Sequence, residues 1–273
     1  MKDDLACLKI KGKEVTKMGH VIAVSGKGGV GKTTLCGLLI QYLGDTGKGP
    51  VLAVDADANS NLNEVLGVTS EVTLGELREE IERAGVDDRY KIPSGMTKQA
   101  YLEMRLTDAI AEEDKYDLMV MGRTQGQGCY CFVNGLVQNQ VQKLQNHYPY
   151  VVIDNEAGME HISRGVIPMM ETAILVSDCS RRGVKAAGRI AELMKELNFK
   201  PQKVGLIVNR VPDGKLDQGT LEEIQKQKLE LWGIVPQDDE VYRFDCECKP
   251  IVQLPADSPV RKALDDIVKK IEL

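Results

Sequence analysis

Short, almost unbroken apolar runs recur along the chain, each closed by glycine, proline or a small polar residue. "HVIAVS" (20–25) opens the series. "PVLAVDAD" (50–57), "YDLMVMG" (116–122), "PYVVIDNEAG" (149–158), "TAILVS" (172–177), "KVGLIVNR" (203–210) and "LWGIVP" (231–236) continue it. Runs this short, apolar on both alternating positions, are the mark of strands buried on both faces of a parallel sheet. Between them the period changes. "KTTLCGLLIQYLGDTG" has apolar residues at helical spacing, with Gly44 and Gly47 as stop signals, and "GVKAAGRIAELMKEL" (183–197) is amphipathic. Residues 71–115 read as helical and highly charged. The tail "SPVRKALDDIVKKIEL" places Val260, Leu264, Ile267, Val268 and Ile271 on one face, the spacing of a helix packed on a core. Strand and helix alternate, which predicts an α/β fold: one domain over 19–273, a mostly parallel sheet with helices on both faces. Residues 1–18 are charged and aperiodic, a short extension in which Cys7 has no evident role.

The loop after the first strand adds chemistry. Gly26 to Thr33 fits G-x-x-x-x-G-K-[ST], between a strand and a helix. Backbone N–H groups of Gly28, Gly29, Val30 and Gly31 would converge on phosphate oxygens. Lys32 supplies charge to the outer phosphates and Thr33 a hydroxyl to Mg²⁺, at a helix N-terminus that favours anions. Asp55 and Asp57 close the second strand, where the ligand crevice of a parallel sheet lies, and would point the same way if the strand stays extended. One suits the Mg²⁺ shell and the other an attacking water. Asp154 ends "YVVID" in the same manner. Helix capping is the competing use of all three. The Asn209 side chain, ending "GLIVN", offers a donor and an acceptor suited to an adenine edge.

"GKGGVGKTT" resembles the deviant P-loop of the ATPase family that includes MinD, ParA and nitrogenase iron protein. The resemblance implies ATP and ADP as ligands. It makes Lys27 a signature lysine reaching a partner's nucleotide across a dimer interface, and Asp57 the water-positioning residue. It also makes Asp154 the magnesium-side carboxylate beside Thr33 and Asp55. Nucleotide contacts by Thr34, Asn209, Arg210, Pro236 and Asp238 follow from the same resemblance.

Farther along, "GQGCYCFVNG" (126–135) holds Cys129 and Cys131 two apart. In an extended segment both sulfurs face one way. Two thiolates make a poor tetrahedral site, but a twofold dimer presents the patch twice and yields four sulfurs. Sulfur ligands suit Zn²⁺, Cu⁺ or thiolate-bound Ni²⁺ without choosing among them. With "DADANSNL", "VMGRTQGQGCYCFVNGLV", "VVIDNEAGMEHISRG" and "SDCSRRGVKAAGRI", the chain from residue 20 onward resembles the CooC-type maturation ATPases, AcsF relatives included. That resemblance implies a nucleotide- and metal-dependent homodimer holding Ni²⁺ or Zn²⁺ through Cys129 and Cys131. It further implies a nickel enzyme as partner, carbon monoxide dehydrogenase or acetyl-CoA synthase. The second pair, Cys246 and Cys248, departs from the pattern and is expected to be without consequence. Cys36 and Cys179 read as packing residues, His161 as a structural hydrogen-bonding group, and His20 and His147 carry no case.

Composition narrows the alternatives. The 273 residues carry a net charge of −6 and only 4% aromatic residues, so neither a basic track nor stacking platforms for nucleic acid are expected. No apolar run is long enough to span a membrane, and Lys2, Asp3 and Asp4 precede only a short apolar patch, unlike a leader. Seven cysteines with two C-x-C pairs point to a reduced, cytoplasmic chain. Two other readings remain at this point: a MinD/ParA-like positioning ATPase, whose expected basic amphipathic tail is unlike the core-facing stripe with mixed charges seen at 258–273, and an iron–sulfur carrier ATPase, which usually spaces its cysteines C-x-x-C.

Overall fold

A computed structural model describes residues 19–57, 61–84, 86–87, 89–122, 142–155 and 170–273. Cys129, Cys131, His161 and the extension 1–18 lie outside the described residues. The predicted apolar runs form β1 (His20–Gly26), β2 (Val51–Ala56), β4 (Tyr116–Val120), β5 (Tyr150–Asn155), β6 (Thr172–Asp178), β7 (Lys203–Val211) and β8 (Leu231–Pro236). With a short β3 (Ile110–Glu112) they make an eight-stranded sheet in the order β3-β4-β2-β5-β1-β6-β7-β8. Every described pairing is parallel except β3 with β4. The fold is thus the single-domain α/β arrangement that strand–helix alternation predicts.

Two apolar layers flank the sheet. One includes Val21, Leu52, Met119, Ile153 and Leu175; the other includes Ile22, Val24, Val152, Ile174 and Ile207. Helix α1 (Lys32–Asp45) lies in the second layer and buries Leu35, Cys36, Leu38, Leu39, Ile40 and Leu43. It is apolar nearly all round because it is covered on several sides, by α2 (Leu62–Leu66), the sheet and the C-terminal helix. Helix α3 (Leu74–Arg83) starts with a capping box in which Thr73 and Glu76 satisfy each other's backbone, and α4 (Lys98–Leu106) packs beside it. Helix α5 (Arg181–Glu196) and α6 (Gln218–Lys226) pack together, and α7 (Asp239–Cys246) follows β8. Helix α8 (Pro259–Lys270) buries Val260, Leu264, Ile267 and Val268 against α1 and β8, as the tail's spacing predicts.

Three expectations change. Residues 71–115 are not helical throughout: after Leu106 a 3₁₀ turn leads into β3, where Ile110 pairs with Met119 at the sheet's antiparallel edge. Charge had masked this strand, which has only one paired neighbour. Gly44 lies inside α1 rather than ending it, because its missing side chain lets Lys115 pack close; the left-handed residue that follows the helix is Gly47. The extended geometry of β2 stops at Ala56, so Asp55 and Asp57 do not share a strand face. The Asp57 N–H turns back to donate to Asp55 Oδ1 at 3.0 Å.

Candidate functional site

The carboxyl ends of β1, β2, β5, β7 and β8 lie along one edge of the sheet, and the chemistry read from the sequence collects there. β1 is central and runs into the glycine loop. Gly26 is required by close approach, since a Cβ would lie 2.3 Å from the Val176 carbonyl oxygen of β6. Gly31 is required by conformation and space. Its φ is +88°, and a Cβ would meet the Asn209 amide nitrogen at 2.4 Å. Lys27, Gly28 and Gly29 are exposed, whereas Lys32 is buried with Nζ 3.4 Å from the Lys27 carbonyl oxygen. No side chain caps α1, and no acid occupies its first turn. Its leading N–H groups therefore stay available to an anion.

The end of β7 grips this loop. Asn209 Nδ2 donates to the Val30 carbonyl at 2.9 Å, and Arg210 Nη1 donates to that of Gly29 at 2.9 Å. One Asn209 amide hydrogen is thus engaged with the loop backbone, which leaves the second hydrogen and the oxygen. Arg210 itself takes a positive φ of 56°, an uncommon state for an arginine that turns the chain at the loop. Asp238 is likewise engaged. It caps α7 by accepting from the Glu240 N–H at 2.9 Å, and its other oxygen accepts from the Ser258 hydroxyl at 3.0 Å. Thr34, Asn209, Arg210, Pro236 and Asp238 nonetheless line one cleft of about 470 Å³, together with residues of α7 and Val260.

Two carboxylates form the floor beside Thr33. Asp55 and Asp154 are paired in register across β2 and β5 and are 0% and 1% exposed. Asp55 accepts from the backbone N–H of Asp57 and of Leu62, each at 3.0 Å, so the capping use is realised here. Burial raises it to about 6, while those backbone bonds pull it back. Asp154 is raised to about 7 by burial. A hydrogen bond from Thr33 and the charge of Lys32 oppose this, and the Asp55 charge adds to it. Asp154 Oδ1 has no hydrogen-bond partner. Two buried carboxylates at a threonine hydroxyl, one with an unfilled oxygen, are a donor set of the hard-oxygen kind that fits Mg²⁺. Asp57 is half-buried just past the strand end.

Two contributors escaped the sequence reading. Cys36 packs, at 0% exposure; burial pushes its thiol up, and the Asp154 carboxylate adds to the rise. Helical spacing from Lys32 places it on the buried face; nothing local shows the carboxylate it meets. Asn155 Nδ2 donates to the Val24 carbonyl at 3.1 Å and to Ser25 Oγ at 3.2 Å, tying β5 to the root of the loop. Cys246 and Cys248 are exposed at the end of α7, and Cys179 is partly buried against the core. Among the described residues no cluster of three or more histidine, cysteine or acidic side chains could hold a metal.

Residues 21–251 match the family model described as the CobQ/CobB/MinD/ParA nucleotide binding domain. The chain is 39% identical over 251 residues to an uncharacterised ATP-binding protein of Methanocaldococcus jannaschii, covering 92% of this chain and 98% of that one. It is 31% identical over 232 residues to the carbon monoxide dehydrogenase accessory protein CooC of Rhodospirillum rubrum, covering 82% and 86%. It is 30% identical over 247 residues to the septum site-determining protein MinD of Bacillus subtilis, covering 87% and 84%. Among solved structures, a chain of the Aquifex aeolicus MinC:MinD cell division protein complex superposes with a TM-score of 0.69 at 22% identity, covering 93% of this chain and 96% of that one.

Proposed function

The chain belongs to the CobQ/CobB/MinD/ParA family of nucleotide-binding domains, and from that membership we propose an ATP-hydrolysing, dimeric metallochaperone. In this reading it assists nickel insertion into carbon monoxide dehydrogenase, acetyl-CoA synthase or both. The observation that carries the nickel reading is the Cys129–Cys131 pair in a chain that also has a complete phosphate loop. The similarity to the Rhodospirillum rubrum accessory protein supports it.

The division of labour follows from position. Loop N–H groups and Lys32 hold the outer phosphates. Thr33, Asp154 and Asp55 would hold Mg²⁺, which when bound neutralises phosphate charge. Asp57 orients the attacking water, and its partial exposure beyond β2 leaves it accessible to one. Lys27, exposed on the outer edge of the loop, reaches the nucleotide of a second copy. Nickel is cargo, held between copies by the paired thiols of both.

The similarity to Bacillus subtilis MinD favours a positioning ATPase as the second reading. Against it, the apolar stripe of α8 is buried on α1 and β8, not free to bind a surface. Reconstitution separates the two. Nickel-free carbon monoxide dehydrogenase and acetyl-CoA synthase, given limiting Ni²⁺, should each be assayed with this protein and ATP. At least one enzyme should gain activity faster with the wild type than with the Asp57→Ala variant. Equal activation with and without the protein in both assays would end the metallochaperone reading.

A further inference from the structure

Cys246 and Cys248 have no part in the reading so far. Among the described cysteines they alone are exposed, Cys36 being buried and Cys179 partly so. They sit at the C-terminal cap of α7, which the backbone fixes closely. The Lys249 N–H donates to the Phe244 carbonyl at 2.9 Å and the Cys248 N–H to that of Asp245 at 3.2 Å, the paired bonds of a Schellman cap. Phe244 is buried beneath, with the Lys249 ammonium 5.8 Å from the centre of its ring. Cys248 takes the left-handed position of the cap, at a φ of 51°, where glycine is usual.

In an unbroken helix, residues two apart point roughly 200° away from each other. The left-handed turn at Cys248 breaks that course, yet the two Cα atoms stay close. Their separation is set by Glu247 between them, whose φ of −92° and ψ of 5° are near helical. Two Cα atoms so joined lie about 5.4 Å apart, inside the span of roughly 4.4–6.8 Å that a disulfide bridges. Two sulfurs fall short of the four ligands of a tetrahedral ion. Among the described residues no cluster of three or more histidine, cysteine or acidic side chains could complete such a set.

We propose that Cys246 and Cys248 are a redox-active dithiol, which closes reversibly into a disulfide by exchange with a small-molecule disulfide. One thiolate attacks a sulfur of the oxidant and releases its other half as a thiol. The second cysteine then attacks the protein sulfur of the mixed disulfide and displaces the remaining half. Two S–H bonds and the oxidant's S–S bond are lost; one protein S–S bond and two small thiols are formed, and two electrons pass to the oxidant. An exposed bond of this kind belongs to the labile, readily reduced class.

The test starts from reduced full-length protein under argon, mixed with oxidised glutathione, quenched in acid, alkylated with iodoacetamide and digested with trypsin. The peptide 244–261 holds both cysteines and no other. It should lose two hydrogens, take up no iodoacetamide and recover both thiols on treatment with dithiothreitol. In Cys248→Ser, a change at an exposed position that is compatible with folding, the same peptide should instead carry one glutathione, because the displacing thiol is gone. At a fixed ratio of reduced to oxidised glutathione, the folded protein should show a disulfide-to-dithiol ratio about tenfold above that in urea, since the cap holds the pair ready. Two separate glutathione adducts, two alkylated thiols in excess oxidant, or a link from either cysteine to another would overturn the assignment. Equal ratios in folded and unfolded protein would overturn it as well.

Discussion

A carboxylate that is 1% exposed, with one oxygen lacking a donor, stabilises the empty protein only while protonated. Asp154 binds its proton more tightly in the native state, at about 7, than in the unfolded chain, near 3.9. Its contribution is therefore complete below the unfolded value and is lost as pH rises through about 7. Without nucleotide or Mg²⁺, Asp154→Asn should raise stability at about pH 8 by on the order of 2–4 kcal/mol, and by less at about pH 5. Urea midpoints at the two pH values check this; an equal shift at both would mean that the buried charge is not the cause. That Lys32, Thr33, Asp55 and Asp154 gather at one end of the sheet was legible in the sequence, because each lies at the end of an apolar strand or at the close of the glycine loop that follows one. The hydrogen bonds that Asn209 and Asp238 make within the protein were not. Whether an amide bonds a base or the Val30 carbonyl depends on how far β7 lies from the loop, and only the assembled sheet sets that distance.

Elements were legible where burial on both faces left nothing but apolar residues, as in "HVIAVS" and "YVVID". β3 was hidden because an edge strand with exposed Glu112 has no such signature. The β7–β8 join was hidden too. Between Leu206↔Leu231 and Ile207↔Gly233 the register shifts by one, so Trp232 is the extra residue, buried at 4% exposure. Its indole covers Gly205, where an added Cβ would fall 2.0 Å from the ring. Gly205→Ala should therefore destabilise by about 2 kcal/mol, the cost of forcing a packed element apart. A chemical-denaturation midpoint equal to the wild type would show that the indole can move aside freely. The cleft lined by Thr34 and Asn209 would feel that change, since β8 ends at Pro236 on its wall.

At the scale of the molecule, the sheet order puts β1 between β5 and β6, so carboxylates approach the loop from β2 and β5 on one side and the clamp from β7 on the other. This arrangement gathers the glycine loop, the carboxylates and the clamp on a single edge, with Lys27 exposed there. A second copy joined at that edge would bring two thiol pairs within one dimer, which links nucleotide state to metal affinity in both directions. The thiol spacing raises metal binding as an expectation, and pairing across copies would be a property of an assembly that no single chain displays. The most direct measurement is equilibrium dialysis of the ATP-bound, reduced full-length protein against Ni²⁺ and, separately, Zn²⁺, with bound metal counted per chain. A shared site predicts one ion for every two chains, lost in the Cys129→Ser/Cys131→Ser double variant and kept in Cys246→Ser/Cys248→Ser. One ion per chain, or metal retained without Cys129 and Cys131, would contradict it.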